Sequence, residues 1–145
     1  MISDIKQIIE DIGLTYYRSL NLKDLSQIAI TNKIDTIGVL AGTINIDGTV
    51  TESTGSILEM WDVTILFLVL SPSIDATAEQ IDNLLDPLYL KAHEFLNLIV
   101  ETFPMAYFLE DYTLNSTEAI NITTEVMAGW ELNLKIPIKK MLCSS

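Results

Sequence analysis

Cysteine is almost missing from this chain: Cys143 is the only one in 145 residues. No intrachain disulfide can form, so a disulfide-built secreted scaffold is excluded and a reducing cytosol fits. Histidine is just as scarce, with His93 alone. A zinc set or a His-based acid–base site would need that residue to converge with ligands the chain lacks. Positive charge is short too, since eight basic residues face twenty acidic ones and leave a net charge of −12. Such a surface repels nucleic-acid phosphates and anionic lipid, which disfavours direct DNA binding. Long apolar runs are lacking: the longest strongly apolar stretch, residues 65–70, is far below the roughly 18 residues of a membrane span and reads as a buried strand. Met1 runs into Ser3 and Asp4 without a basic region followed by an apolar one, so no signal peptide is expected. The sequons at Asn115 and Asn121 would then carry no glycan.

What the chain does hold is apolar material. Hydrophobic residues make up 49% and charged residues 19%, which argues against disorder and for extensive burial. A chain of 145 residues buries roughly 70% of its unfolded surface and matches one domain, here residues 1–145.

Ile2, Ile5, Ile8, Ile9 and Ile12 recur at helical spacing, predicting a helix over residues 3–12 with Ser3 or Asp4 as its cap and Gly13 as its stop. Residues 14–40 are mixed: Asp24 with Gln27 suits a short capped turn, and residues 34–40 read as a strand. Asp47-Gly48 is a strong two-residue turn signal between β-branched flanks, so a hairpin or projecting arm is expected over residues 42–55. In residues 57–70, Ile57, Trp61, Val63, Ile65, Phe67 and Val69 share one face. The other face begins with Asp62 and Thr64 and turns apolar at Leu66, so this strand starts half exposed and ends covered on both sides.

Thr77-Ala78-Glu79-Gln80 has the form of a capping box. Beyond it, Ile81, Leu84, Leu85, Leu88, Ala92, Phe95, Leu96 and Ile99 form one helical face, interrupted by Pro87 either as a kink or as the start of a new helix capped by Asp86. The last third reads as β structure over residues 106–112, 118–127 and from Trp130 onward, with a short turn at Ala128-Gly129 joining an antiparallel pair. The fold class expected is α+β, a mainly antiparallel sheet with helices packed on one face and a projecting β-hairpin arm.

The search for chemistry returns little. Cys143 has no activating neighbour in sequence. The acid pairs Glu10-Asp11, Asp82 with Asp86, and Glu110-Asp111 are the number that twenty acids produce by chance. Glycine-rich phosphate loops, nucleophile elbows and H-E-x-x-H patterns are missing, so no enzyme class, cofactor or metal is expected. The arm is too polar to stand alone as a two-stranded unit, so it either stays loose or docks on something. Residues 65–70 need complete cover. Both point to assembly, with an ordinary monomer as the plain alternative.

The layout of a short first helix, an arm feeding the strand Trp61-Asp62-Val63-Thr64-Ile65, a central helix ending Glu94-Phe95-Leu96-Asn97-Leu98-Ile99 and a closing strand Gly129-Trp130-Glu131-Leu132-Asn133-Leu134 resembles the tail terminator and tail-completion family of tailed bacteriophages. The likeness covers nearly the whole chain and rests on layout and aromatic strand positions, without a catalytic signature. It implies a homo-oligomeric ring, commonly of six subunits, in the virion tail or neck, assembled in the bacterial cytoplasm. Such a ring caps the tail tube, joins it to the head through neck and portal-proximal proteins, and lets DNA pass without specific binding. Subunit contacts are expected at Thr43, Ile44, Ile46 and Val50 on the arm and at Lys135, Lys139 and Lys140, which otherwise form a solvated basic tail. Asp47 and Glu52 are the candidates for an acidic lumen lining. A different class of function, a small-ligand or peptide-binding module with the arm as a lid over a sheet pocket, is separable by mass in solution.

Overall fold

The computed structural model describes residues 1–19, 36–51, 53, 55–70, 77–103, 112–122 and 125–141, with the backbone alone at 70, 117–122, 125–127, 140 and 141. Among the described residues seven elements follow one another: α1 (Ile2–Asp11), β1 (Thr15–Ser19), β2 (Thr36–Thr51), β3 (Ser56–Leu70), α2 (Ala78–Thr102), β4 (Tyr112–Ile122) and β5 (Glu125–Met141). The strands form one sheet in the order β1-β2-β3-β5-β4. Every pairing is antiparallel except that of β1 with β2. This is the expected α+β class.

Local chemistry sets both helices. The first buries Ile5, Ile8 and Ile9, the isoleucine stripe read from the sequence. Its cap is Met1 without a side-chain bond, so Ser3 and Asp4 do not cap it. Gly13, at φ 89°, closes the helix as expected: its N–H donates to the Glu10 carbonyl at 3.0 Å and that of Leu14 donates to Ile9 at 3.2 Å. These two bonds together form a Schellman ending. At the start of α2 the capping box is complete, with the Gln80 N–H on Thr77 Oγ1 at 3.2 Å and the Thr77 N–H on Gln80 Oε1 at 2.9 Å. The helix continues through Pro87, which lies on its exposed side, so a new helix does not begin there.

Both helices pack on the same face of the sheet. Ile5, Ile8, Ile9 and Ile12 join Leu88, Ala92, Phe95, Leu96 and Ile99 over Leu40, Val63, Ile65, Phe67, Leu132, Leu134 and Ile136. Phe67 and Phe95 meet edge to face at 5.7 Å. Gly38 admits α1 closely, because a Cβ there would stand 2.6 Å from Ile9 Cγ2. Lys91 Nζ donates to the Ile12 carbonyl at 2.7 Å, tying the two helices together where the dipole of α1 is negative. On the far face Ile37, Val39 and Leu68 are also buried, so β3 is covered on both sides near its end, as its pattern predicted.

Three readings need correction. Asp47-Gly48 is not a turn: both residues lie in β2, opposite Met60 and Glu59, and the chain reverses at residues 52–55, where Gly55 has φ 63°. Nor is Ala128-Gly129 a turn, since those residues lie in β5 opposite Val69 and Leu68, and β4 and β5 are joined at residues 123–124. Gly129 is there for space, because a Cβ would collide with the backbone carbonyl of Phe67. β1, hidden in the mixed stretch, is a further strand. The suggested Asp24–Gln27 cap and residues 106–111 lie outside the described residues.

Candidate functional site

The arm is three-stranded. Among the described residues β1 pairs with β2 as far as Ser19 opposite Ala41, and β4 pairs with β5 from Tyr112 opposite Leu134. Beyond those limits β2, β3 and β5 continue together, down to Thr51 opposite Ser56 and Ser56 opposite Met141. About seven residues per strand at ~3.3 Å each carry this ribbon roughly 20 Å past the described pairings of β1 and β4. In place of a hairpin folded within residues 42–55 about Asp47-Gly48, β2 and β3 form the hairpin, and a third strand, the basic tail, lies beside it. Pro137, buried opposite Met60, lies beyond the described pairing of β5 with β4, which begins at Leu134.

The arm begins at a bulge. Between Ala41 and Asn45 the register slips so that β2 carries two more residues than β3, with Gly42 at φ 69°. Such a slip leaves carbonyls outside the ladder. Arg18, on β1, answers it: Nη1 donates to the Leu40 carbonyl at 2.8 Å and to that of Ser19 at 3.2 Å, and Nη2 donates to that of Gly42 at 2.6 Å. One planar guanidinium thus holds the edge strand and the bulge in fixed relation. Beside it, burial pushes the Tyr16 phenol above its ordinary value while the Arg18 charge pulls it the other way.

Directly opposed residues in an antiparallel sheet share a face, so the register assigns the two sides of the arm. On the helix side stand Ile46, Val50, Ile57, Trp61 and Ile138, with Glu59 among them. Ile46 and Val50 are 45% and 57% exposed there. Trp61 is half-buried, and its Nε1 is enclosed without a hydrogen-bond partner. The opposite side carries Asp47, Thr49, Leu58, Met60, Asp62, Lys135 and Lys139.

Thr43 is exposed in the bulge, whereas Ile44 packs on the chain's own core. Ile46 and Val50 are exposed together on the helix side. Lys135 and Lys139 are exposed on the other side, facing away from the helices, and the backbone of Lys140 pairs opposite Ile57. Asp47 shares the face of Lys135 and Lys139, so a lumen role for the one and a subunit contact for the others would have to fall on one surface. Glu52 lies outside the described residues.

Sequence reasoning missed an open cavity of about 370 Å³ at the base of the arm, lined by Asp62, Tyr112, Thr113, Asn133, Leu134 and Lys135. Thr64 Oγ1 and Asn133 Oδ1 are 2.6 Å apart next to it, and Asn133 Nδ2 donates to Glu131 at 3.2 Å. The matched charges of Asp62 and Lys135 on neighbouring strands were the available signal, but reading it required the register.

Among the described residues no group of three or more His, Cys, Asp or Glu is placed to hold a metal ion. His93 packs edge-on against Tyr89 at 4.5 Å, and Tyr89 lies 5.5 Å from Trp130, whose indole N–H donates to the Leu85 carbonyl at 2.9 Å. Asp11 accepts from Gln7 at 2.8 Å. Cys143, Glu110 and Asp111 lie outside the described residues. No described helix is long and apolar enough to cross a membrane. No protein-family model and no curated protein matches the chain.

Proposed function

We propose that this chain is a structural virion protein of tailed phages, a terminator or neck ring that caps the tail tube and joins it to the head. The observation that carries the reading is the arm. Among the described residues a three-stranded ribbon runs beyond the pairings of β1 and β4 and presents Ile46 and Val50, about half exposed, on the side where the helices cover the rest of the sheet. Burying what remains of each contributes roughly 1 kcal/mol, so the ribbon is stabilised when another subunit closes on it. Trp61, whose indole N–H is enclosed without an acceptor, belongs to the same face. The net charge of −12 suits a ring through which DNA passes without sticking, an effect that fades over roughly 8 Å at physiological salt.

Native mass spectrometry of the purified chain tests the reading. A ring of defined copy number, commonly six, is expected; a monomer at high concentration without affinity for tail-tube or neck proteins refutes it.

The cavity beside Asp62 and Lys135 favours a second reading, a binding module for a small ligand or peptide carrying both charges. A monomer that takes up such a ligand stoichiometrically would establish that reading in place of the ring.

A further inference from the structure

We infer that the outer face of the arm lies across the solvent face of α2 in a neighbouring copy of this chain, Lys135 and Lys139 meeting Asp86 and Glu94 around Leu58 and Leu90. The inference rests on the ring reading and names the contact that would build it. The fold itself separates two strips of opposite charge, lysines along β5 and acids along α2, with Asp62 and Asp47 of the outer face on the neighbouring strands β3 and β2. Lys135 and Lys139 are exposed, four residues apart on β5 and so about 13 Å apart along the strand. They make no hydrogen bond or ion pair among the described residues. Leu58, 41% exposed, sits directly across from Lys139. On α2 the spacing is matched: Asp86 and Glu94 are exposed and eight residues apart, about 12 Å along the axis, with Leu90 midway between them at 63% exposure.

These strips cannot meet within one molecule. α2 packs on one face of the sheet, while Lys135, Lys139 and Leu58 point from the other. A second copy can bring them together, and because each copy contributes a different surface, the contact passes from copy to copy and closes into a ring where the rotation allows. The charge balance supports the same occupant. With twenty acidic residues the chain offers few cations, and two of these are engaged internally: Arg18 with strand carbonyls, Lys91 with the Ile12 carbonyl and, at 3.4 Å, with Glu94. The Lys91–Glu94 pair is exposed, and such pairs contribute little, so Glu94 is free to turn to a partner's lysine at small cost.

The test is a charge exchange on the full chain, read by native mass spectrometry and analytical ultracentrifugation, with circular dichroism to verify folding. All four positions are exposed, so the variants should fold, with a small loss of stability where Lys135→Glu faces Asp62. Lys135→Glu with Lys139→Glu, and separately Asp86→Lys with Glu94→Lys, should each weaken self-association roughly ten- to hundredfold. Combining all four substitutions should restore it to within a few fold of wild type. If wild type assembles and either double variant assembles equally well, or the combination restores nothing, this contact is wrong although the ring reading stands. A monomeric wild type overturns both.

Discussion

Replacing Arg18 by Met keeps most of its aliphatic length and removes the guanidinium that holds the base of the arm. Three carbonyls lose a donor: Leu40 at 2.8 Å, Gly42 at 2.6 Å and Ser19 at 3.2 Å. A hydrogen bond to a charged group contributes about 1.5–3 kcal/mol, but the three share one side chain that is only partly buried, and water can reach some of what it leaves. The expected loss is therefore about 2–3 kcal/mol, not three times the single value. At an m-value of about 2 kcal/mol/M this moves the urea midpoint down by roughly 1 M. The loss should be local in character. Amides of residues 45–51, held in the arm beyond the bulge, should exchange with solvent faster relative to those of Val63, Ile65 and Phe67 in the buried middle of β3. Arg18→Lys should restore little, because a single ammonium cannot span the Leu40 and Gly42 carbonyls as the planar fork does. A midpoint within ~0.3 M of wild type, together with unchanged arm exchange, would refute the assignment of Arg18 as the clamp of the bulge.

Two substitutions of glycine by alanine should behave oppositely. Gly129→Ala sets a methyl group against the Phe67 carbonyl, 2.8 Å from its carbon, and should cost about 1–3 kcal/mol or more, a drop in Tm of roughly 3–12 °C by calorimetry. Gly48→Ala meets no atom closer than 3.8 Å and should change stability by less than ~0.5 kcal/mol; a large loss there would mean that Asp47-Gly48 is a turn after all. Raising the pH should weaken the fold through Tyr16. Its phenol is raised above 10.0 chiefly by burial, so the native state keeps its proton where the unfolded chain has lost it. The stabilisation is complete below about pH 10 and is lost as pH climbs through the folded value. In alkaline urea titrations Tyr16→Phe should flatten that decline, and an unchanged slope would exclude Tyr16 as its source.

What could be read from sequence was what is encoded within a few residues. The isoleucine stripe of α1, the Thr77–Gln80 box and the alternation of Val63, Ile65 and Phe67 each place their own signal, and the fold class followed from them. What depended on a distant partner was not legible. β1 is five residues long, and its pattern makes sense only beside residues 37–41 of β2. Gly48 and Gly129 look alike in sequence, yet one is a roomy strand position and the other is crowded by Phe67, a difference that a remote strand creates. The same limit applied to the candidate site. An arm was foreseen from β-branched residues around an Asp47-Gly48 turn that the register overturns, and Lys135 and Lys139 read as a tail because nothing near them announces that Leu58 and Asp62 lie across the ladder.

The third strand changes the physics of the arm. A two-stranded hairpin is marginal in water and would have to be ordered on docking, which takes a share of the binding free energy. With β5 hydrogen-bonded along β3 from Leu134 to Met141 and Arg18 fixing the bulge, the ribbon is ordered before any partner arrives. Its two faces are then held in fixed relation, the half-exposed Ile46 and Val50 on one and Lys135 and Lys139 on the other. A rigid ribbon with different chemistry on each side can engage two neighbours without rearranging, so reversing Lys139, which faces Leu58 across the ladder, should act on association alone and leave the fold of each subunit as it is, whereas reversing Lys135 also sets a like charge across from Asp62.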